Sequence, residues 1–106
     1  MSERERRVGK NEALFREVNE RIREITTYGG DVEFLCECGD PTCARPILMT
    51  IAEYEAVRAN AARFFVVRGH EIADVETVVD ENDRFAVVEK HAGFPTNLAV
   101  ERDPRS

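Results

Sequence analysis

Phe34-Leu-Cys-Glu-Cys-Gly-Asp-Pro-Thr-Cys-Ala-Arg-Pro46 holds all three cysteines of the 106-residue chain, spaced C-x-C-x4-C. The run Phe34-Leu35-Cys36-Glu37-Cys38 reads as a short strand. Side chains alternate along a strand, so Cys36 and Cys38 point to one face. Gly39-Asp40-Pro41 has turn chemistry, because Gly permits positive φ and Pro presets the turn φ. Such a turn can bring Cys43 back against the first two sulfurs. Tetrahedral zinc takes thiolates at roughly 2.3 Å, which sets the sulfurs a little under about 4 Å apart. The stretch therefore reads as a metal-binding knuckle, although its spacing is not the common C-x2–4-C pattern. A Cys38–Cys43 disulfide would leave an odd thiol, a poor fit to a chain with no sign of secretion. Buried structural thiols and a redox-active set are further readings. An iron–sulfur cluster would usually require a fourth thiolate.

Three thiolates leave one position of a tetrahedral site, and the chain has two histidines. His70 ends Phe64-Phe-Val-Val-Arg-Gly-His70, a strand-like run closed by Gly69. A histidine freed by a glycine just past a strand end is well placed to reach a neighbouring knuckle, so His70 is the preferred ligand. His91 ends a similar run without the preceding glycine and reads as a surface residue. Asp40, Glu37 or a water are the other candidates for the fourth position. The expected cofactor is one structural Zn2+ held by Cys36, Cys38, Cys43 and His70.

The length fits one small domain with a modest core, which a metal staple would help. Hydrophobic residues make up 42% and charged residues 34%, a globular composition with a well-solvated surface. No apolar run approaches the roughly 18 residues of a membrane span. The start, Met1-Ser-Glu-Arg-Glu-Arg-Arg, lacks an apolar signal region, so a cytoplasmic location with reduced cysteines is expected. The net charge is −6, and Asp31, Glu33, Glu37 and Asp40 surround the knuckle with no base before Arg45. A phosphate backbone would be repelled there, which disfavours nucleic acid as a partner.

Residues 1–9 read as a disordered arm, with Arg4, Arg6 and Arg7 available to an acidic partner. Residues 10–28 read as an N-terminal helix capped by Asn11. Leu14, Val18, Ile22 and Ile25 give it one apolar stripe, widened by Phe15, and Gly29-Gly30 stops it. That stripe either packs on the domain's own sheet or docks on a partner protein through Leu14, Phe15, Val18 and Ile22. Residues 31–92 read as a zinc-knuckle α+β domain. Within it Pro46-Ile-Leu-Met-Thr50 is a strand, and Thr50 with Glu53 forms a capping box for a second helix. Phe64 to Val67 is a strand, and the segments around Glu81-Asn82-Asp83 form a β-hairpin. Residues 93–106 read as a loosely ordered tail. The fold class is α+β: a small mixed sheet with a hairpin, a zinc knuckle, one packed helix and an N-terminal amphipathic helix.

The series NEALFREVNERI, FLCECGDPTC, EYEAVR, RFFVVRGHE and VVEKH, covering roughly residues 11–91, resembles a family of small uncharacterised proteins of high-GC Gram-positive bacteria. The CEC–C element with the later Gly-His is its most specific part. The resemblance implies that His70 belongs with Cys36, Cys38 and Cys43, and it implies no activity.

The chain shows no Ser/His/Asp order, no H-E-x-x-H, no phosphate-binding Gly-rich loop and no deaminase signature. Three thiolates also weaken zinc as a Lewis acid. A non-enzymatic, zinc-stabilised protein-interaction module is the expected function. A thiol or zinc redox sensor is the alternative, and a nucleic-acid-binding accessory factor stands third.

Overall fold

The cysteine turn lies between the two strands of a β-ribbon. β1 (Asp31–Leu35) pairs antiparallel with β2 (Pro46–Thr50), with Val32 opposite Met49 and Phe34 opposite Ile47. These four side chains point inward while their neighbours face solvent, the alternation expected of a ribbon with one covered face. The structure is a computed structural model that describes residues 3–27, 29–73, 75–91 and 104, without the side chains of residues 4 and 5. The tail read over residues 93–106 lies outside the described residues except for Pro104.

Thr50 ends β2 and caps α2 (Ile51–Arg58). Its hydroxyl accepts from Glu53 N at 3.1 Å, and Glu53 Oε1 accepts from Thr50 N at 2.9 Å. This is the capping box that the sequence indicates. A second sheet follows, in the order β3-β5-β4, from β3 (Arg63–Val66), β4 (Glu76–Glu81) and β5 (Ala86–Lys90). β4 and β5 form the expected hairpin, closed by Asn82, whose N donates to Phe85 O at 3.0 Å and whose Oδ1 accepts from Arg84 N. The fold is α+β as read, with its strands divided between two small antiparallel sheets.

The core fills the space between the sheets. Phe34 stacks on Tyr54 with centroids 4.4 Å apart, and Phe65 meets both rings edge-on. Met49, Ile47, Val57, Phe64, Val66 and Val88 complete it, all buried.

Two expectations for the N-terminus change. α1 runs from Glu3 to Ile25, so most of the arm read over residues 1–9 is helix, and Asn11 lies inside the helix rather than capping it. Val8 is buried, which gives this first part of the helix a packing reason that its charged neighbours obscure.

The second change is the face that α1 turns inward. Val8, Glu12, Arg16, Asn19 and Glu20 are buried, whereas Leu14, Val18 and Ile25 are exposed by 56%, 37% and 79%. Phe15 is half-buried, and Ile22 packs at the margin of the core. The helix is amphipathic with its polar face inside. The surface under it explains this, because it offers backbone ends and charges rather than apolar side chains. Leu35 N and O, Gly39 O, Ala61 O, Glu37 and Lys90 all bond α1 side chains there. An apolar face laid on these groups would bury them without partners.

Candidate metal centre

β1 ends at Leu35, one residue before the first cysteine, so Cys36 and Cys38 lie beyond the strand in which the sequence places them. The physical reason is a change of hydrogen-bonding partner. Cys36 N still donates to Arg45 O across the ribbon at 2.9 Å, but Glu37 N donates to Phe65 O of β3 at 2.9 Å. The chain thus leaves the edge of one sheet and joins the edge of the other. Asp40 closes the turn: its backbone O accepts from Cys43 N at 3.1 Å, and its Oδ1 accepts from Thr42 N at 2.9 Å and Thr42 Oγ1 at 2.7 Å. Those bonds hold the Asp40 carboxyl below the usual carboxylate range.

His70 arrives from the far side. Past β3, Gly69 adopts φ +90°, a conformation that side-chain-bearing residues rarely take, and His70 N donates to Val67 O at 2.9 Å. The ring then meets the cysteines, with Nδ1 at 3.7 Å from Cys36 Sγ and 3.6 Å from Cys43 Sγ. The ligand atoms of Cys36, Cys38, Cys43 and His70 all lie within 4.8 Å of one another. Tetrahedral zinc would set its sulfurs about 3.8 Å apart and its nitrogen about 3.5 Å from each sulfur. The set therefore fits a four-coordinate metal with modest contraction.

The surroundings move the Cys36 and Cys38 thiols in opposite directions. The hydrogen bond with Cys38 pulls the Cys36 thiol below its ordinary value against the cost of burial, and Val67 N donates to Cys36 Sγ at 3.2 Å. The same bond, seen from Cys38, together with burial, pushes that thiol up. Of the pair, Cys36 is the more acidic thiol and Cys38 the less acidic. All three cysteines are free and buried, so the disulfide reading does not describe this structure.

The other candidates for the fourth position go elsewhere. His91 lies just past the end of β5, with Nε2 2.7 Å from Thr77 Oγ1. Asp40 is taken up by its turn. Glu37 points away from the sulfurs, where its Oε1 accepts from Arg58 Nη2 at 2.6 Å and from Phe65 N at 3.2 Å.

The residues around the centre were not marked by the sequence. Asn19 behaves like a missing strand residue at the end of β1: Leu35 N donates to its Oδ1 at 2.8 Å, and its Nδ2 donates to Leu35 O at 2.9 Å and Glu37 Oε2 at 2.8 Å. Asn11 Nδ2 donates to Gly39 O at 2.9 Å. The available signal was spacing: Val8, Glu12, Arg16, Asn19 and Arg23 recur at helical intervals, but polar residues at those intervals ordinarily mark the solvent side.

Comparison with known proteins finds no matching family model, no matching curated protein and no matching solved structure. The geometry is that of a Cys3His cluster able to bind a metal ion. Among the described residues, no helix is long and apolar enough to cross a membrane.

Proposed function

We propose that this chain is a cytoplasmic zinc protein without enzymatic activity, in which one structural Zn2+ supports a protein-interaction module. The observation that carries the reading is the convergence of three buried sulfurs and one imidazole nitrogen within 4.8 Å. Thiolate–imidazole sets of this kind suit zinc, whereas calcium and magnesium take oxygen donors. Four protein ligands fill a tetrahedral shell and leave no position for a reacting water, which argues against hydrolysis. The partner surface is the outer face of α1, where Leu14, Val18 and the rim formed by Phe15 and Ile22 suit a protein with an apolar patch of its own.

Metal analysis with thiol titration tests the first part. The expected result is one zinc per chain, with thiols that titrate only after chelation. Well under half an equivalent of metal with freely titrating thiols would refute it. Mild peroxide separates a structural site, which keeps its zinc, from a redox sensor, which releases it.

A further inference from the structure

We propose that metal occupancy of the Cys36, Cys38, Cys43 and His70 cluster latches α1 onto the domain. The metal then decides whether the outer stripe of α1 is presented on an ordered helix. This inference rests on reading the cluster as a metal site.

The backbone that carries the ligands is also the seat of the helix. Leu35 and Glu37 flank Cys36, and both bond Asn19. Gly39 follows Cys38 and accepts from Asn11. Gly39 also lies so close to α1 that a Cβ there would stand 2.5 Å from Val8 Cγ1 and 3.1 Å from Val8 Cα. Every one of these contacts is within one residue of a ligand cysteine. A metal would tie the turn to His70 and fix the groups on which the helix sits.

The seated face suits release. Asn11, Glu12, Arg16, Asn19 and Glu20 make bonds that water can replace, and the apolar surface that undocking uncovers includes Val8, Ala13 and the Phe64 ring beneath Arg16. A helix seated by leucines would stay down whatever the turn did. Once released, a single helix interrupted by Gly9 is marginal in water and frays, and its stripe disperses. Coupling of this kind is reciprocal: if zinc favours docking, docking favours zinc by the same factor.

The experiment compares the full chain loaded with Zn2+ and stripped by a chelator, after the zinc stoichiometry has been measured. Amide hydrogen exchange read by mass spectrometry should rise about tenfold or more over residues 11–22 on stripping, a factor within the range of allosteric couplings. β3 and β5 should stay protected. In the zinc-loaded state Gly39→Ala should raise exchange over the same residues and weaken zinc binding by roughly 5–150-fold. Removing Val8 Cγ1 in the Gly39→Ala/Val8→Ala pair should recover part of both losses. Asn11→Ala, which deletes only the bond to Gly39, should move both readouts the same way by less. Unchanged α1 exchange on stripping would overturn the latch, as would α1 and both sheets opening together, or a Gly39→Ala protein with loosened α1 and unaltered zinc affinity. A chain that takes up no zinc in the first measurement defeats the metal reading itself, a separate failure.

Discussion

Asn19→Ala tests the inverted helix most directly. Asn19 is fully buried, and its amide makes three hydrogen bonds at 2.8–2.9 Å to Leu35 N, Leu35 O and Glu37 Oε2. Alanine removes all three and leaves a partly buried N–H, a partly buried carbonyl and a buried carboxylate oxygen short of partners. Each such group costs about 1–3 kcal/mol, more where it is charged. Relaxation recovers part, so a loss of about 3–4 kcal/mol is expected, a large share of the roughly 5–15 kcal/mol of a typical domain. For a chain of this size that corresponds to a fall in Tm of about 12–30 °C. Urea denaturation of the zinc-loaded protein should show it as a lower midpoint with the slope kept.

Two comparisons sharpen the test. Asn19→Asp replaces donors with a carboxylate facing the Glu37 carboxylate and Leu35 O, so at neutral pH it should be worse than alanine. Leu14→Ser, on the outer face of the same helix, should change stability by no more than about 0.5 kcal/mol. An Asn19→Ala loss below about 1 kcal/mol, an aspartate no worse than alanine, or a serine at position 14 costing more than alanine at 19 would refute the orientation of α1.

His70→Ala should keep metal on three thiolates but lose affinity in chelator competition, whereas Cys43→Ser should bring metal content below half an equivalent. Burial holds the Glu12 carboxyl well above the usual glutamate value of 4.5, against the pull of Lys90. The folded state therefore binds this proton more tightly than the unfolded state. The resulting stability is present in full below the unfolded value and is lost as pH rises through the folded one. Glu12→Gln, which cannot ionise, should flatten that loss in urea midpoints measured from pH 5 to 9. Leu14→Glu with Val18→Glu should leave zinc content and Tm close to wild type while abolishing recovery of any partner that binds the native chain.

Much of the centre was legible because its information is local. The C-x-C-x4-C spacing, the turn chemistry of Gly39-Asp40-Pro41 and the glycine before His70 each act within a few residues. The Thr50–Glu53 box and the hairpin around Asn82 are local in the same sense. What misled was a rule that assumes an apolar floor. Leu14, Val18, Ile22 and Ile25 form a sound amphipathic stripe, and inward is the ordinary side for one. The floor under α1 is instead built from the backbone of residues 35–39, a property of how the chain crosses between sheets and not of any window of sequence. Asn19 and Asn11 have the same cause.

That crossing also accounts for the charges inside the molecule. A strand that ends on one sheet and resumes on another leaves carbonyls and N–H groups at the junction that neither ladder satisfies. Side chains must supply the missing partners, and Asn19, Glu37 and Asn11 do so. Glu37 then carries a charge that needs neutralising, and Arg58 provides it from α2, with both side chains at most 1% exposed. The Arg58 guanidinium lies over the rings of Tyr54 and Phe65 at 5.2 and 5.4 Å, so the aromatic core fixes the ion pair's position. Deleting one member of such a pair costs about 3–5 kcal/mol, because the survivor stays buried. Replacing both with apolar residues would spare that cost but leave Phe65 N and one of the two Asn19 Nδ2 hydrogens without an acceptor. The polar layer is therefore a consequence of the knuckle's path, and the candidate metal site lies at its outer end, where Cys36, Cys38 and the turn-closing Cys43 meet the histidine that β3 delivers.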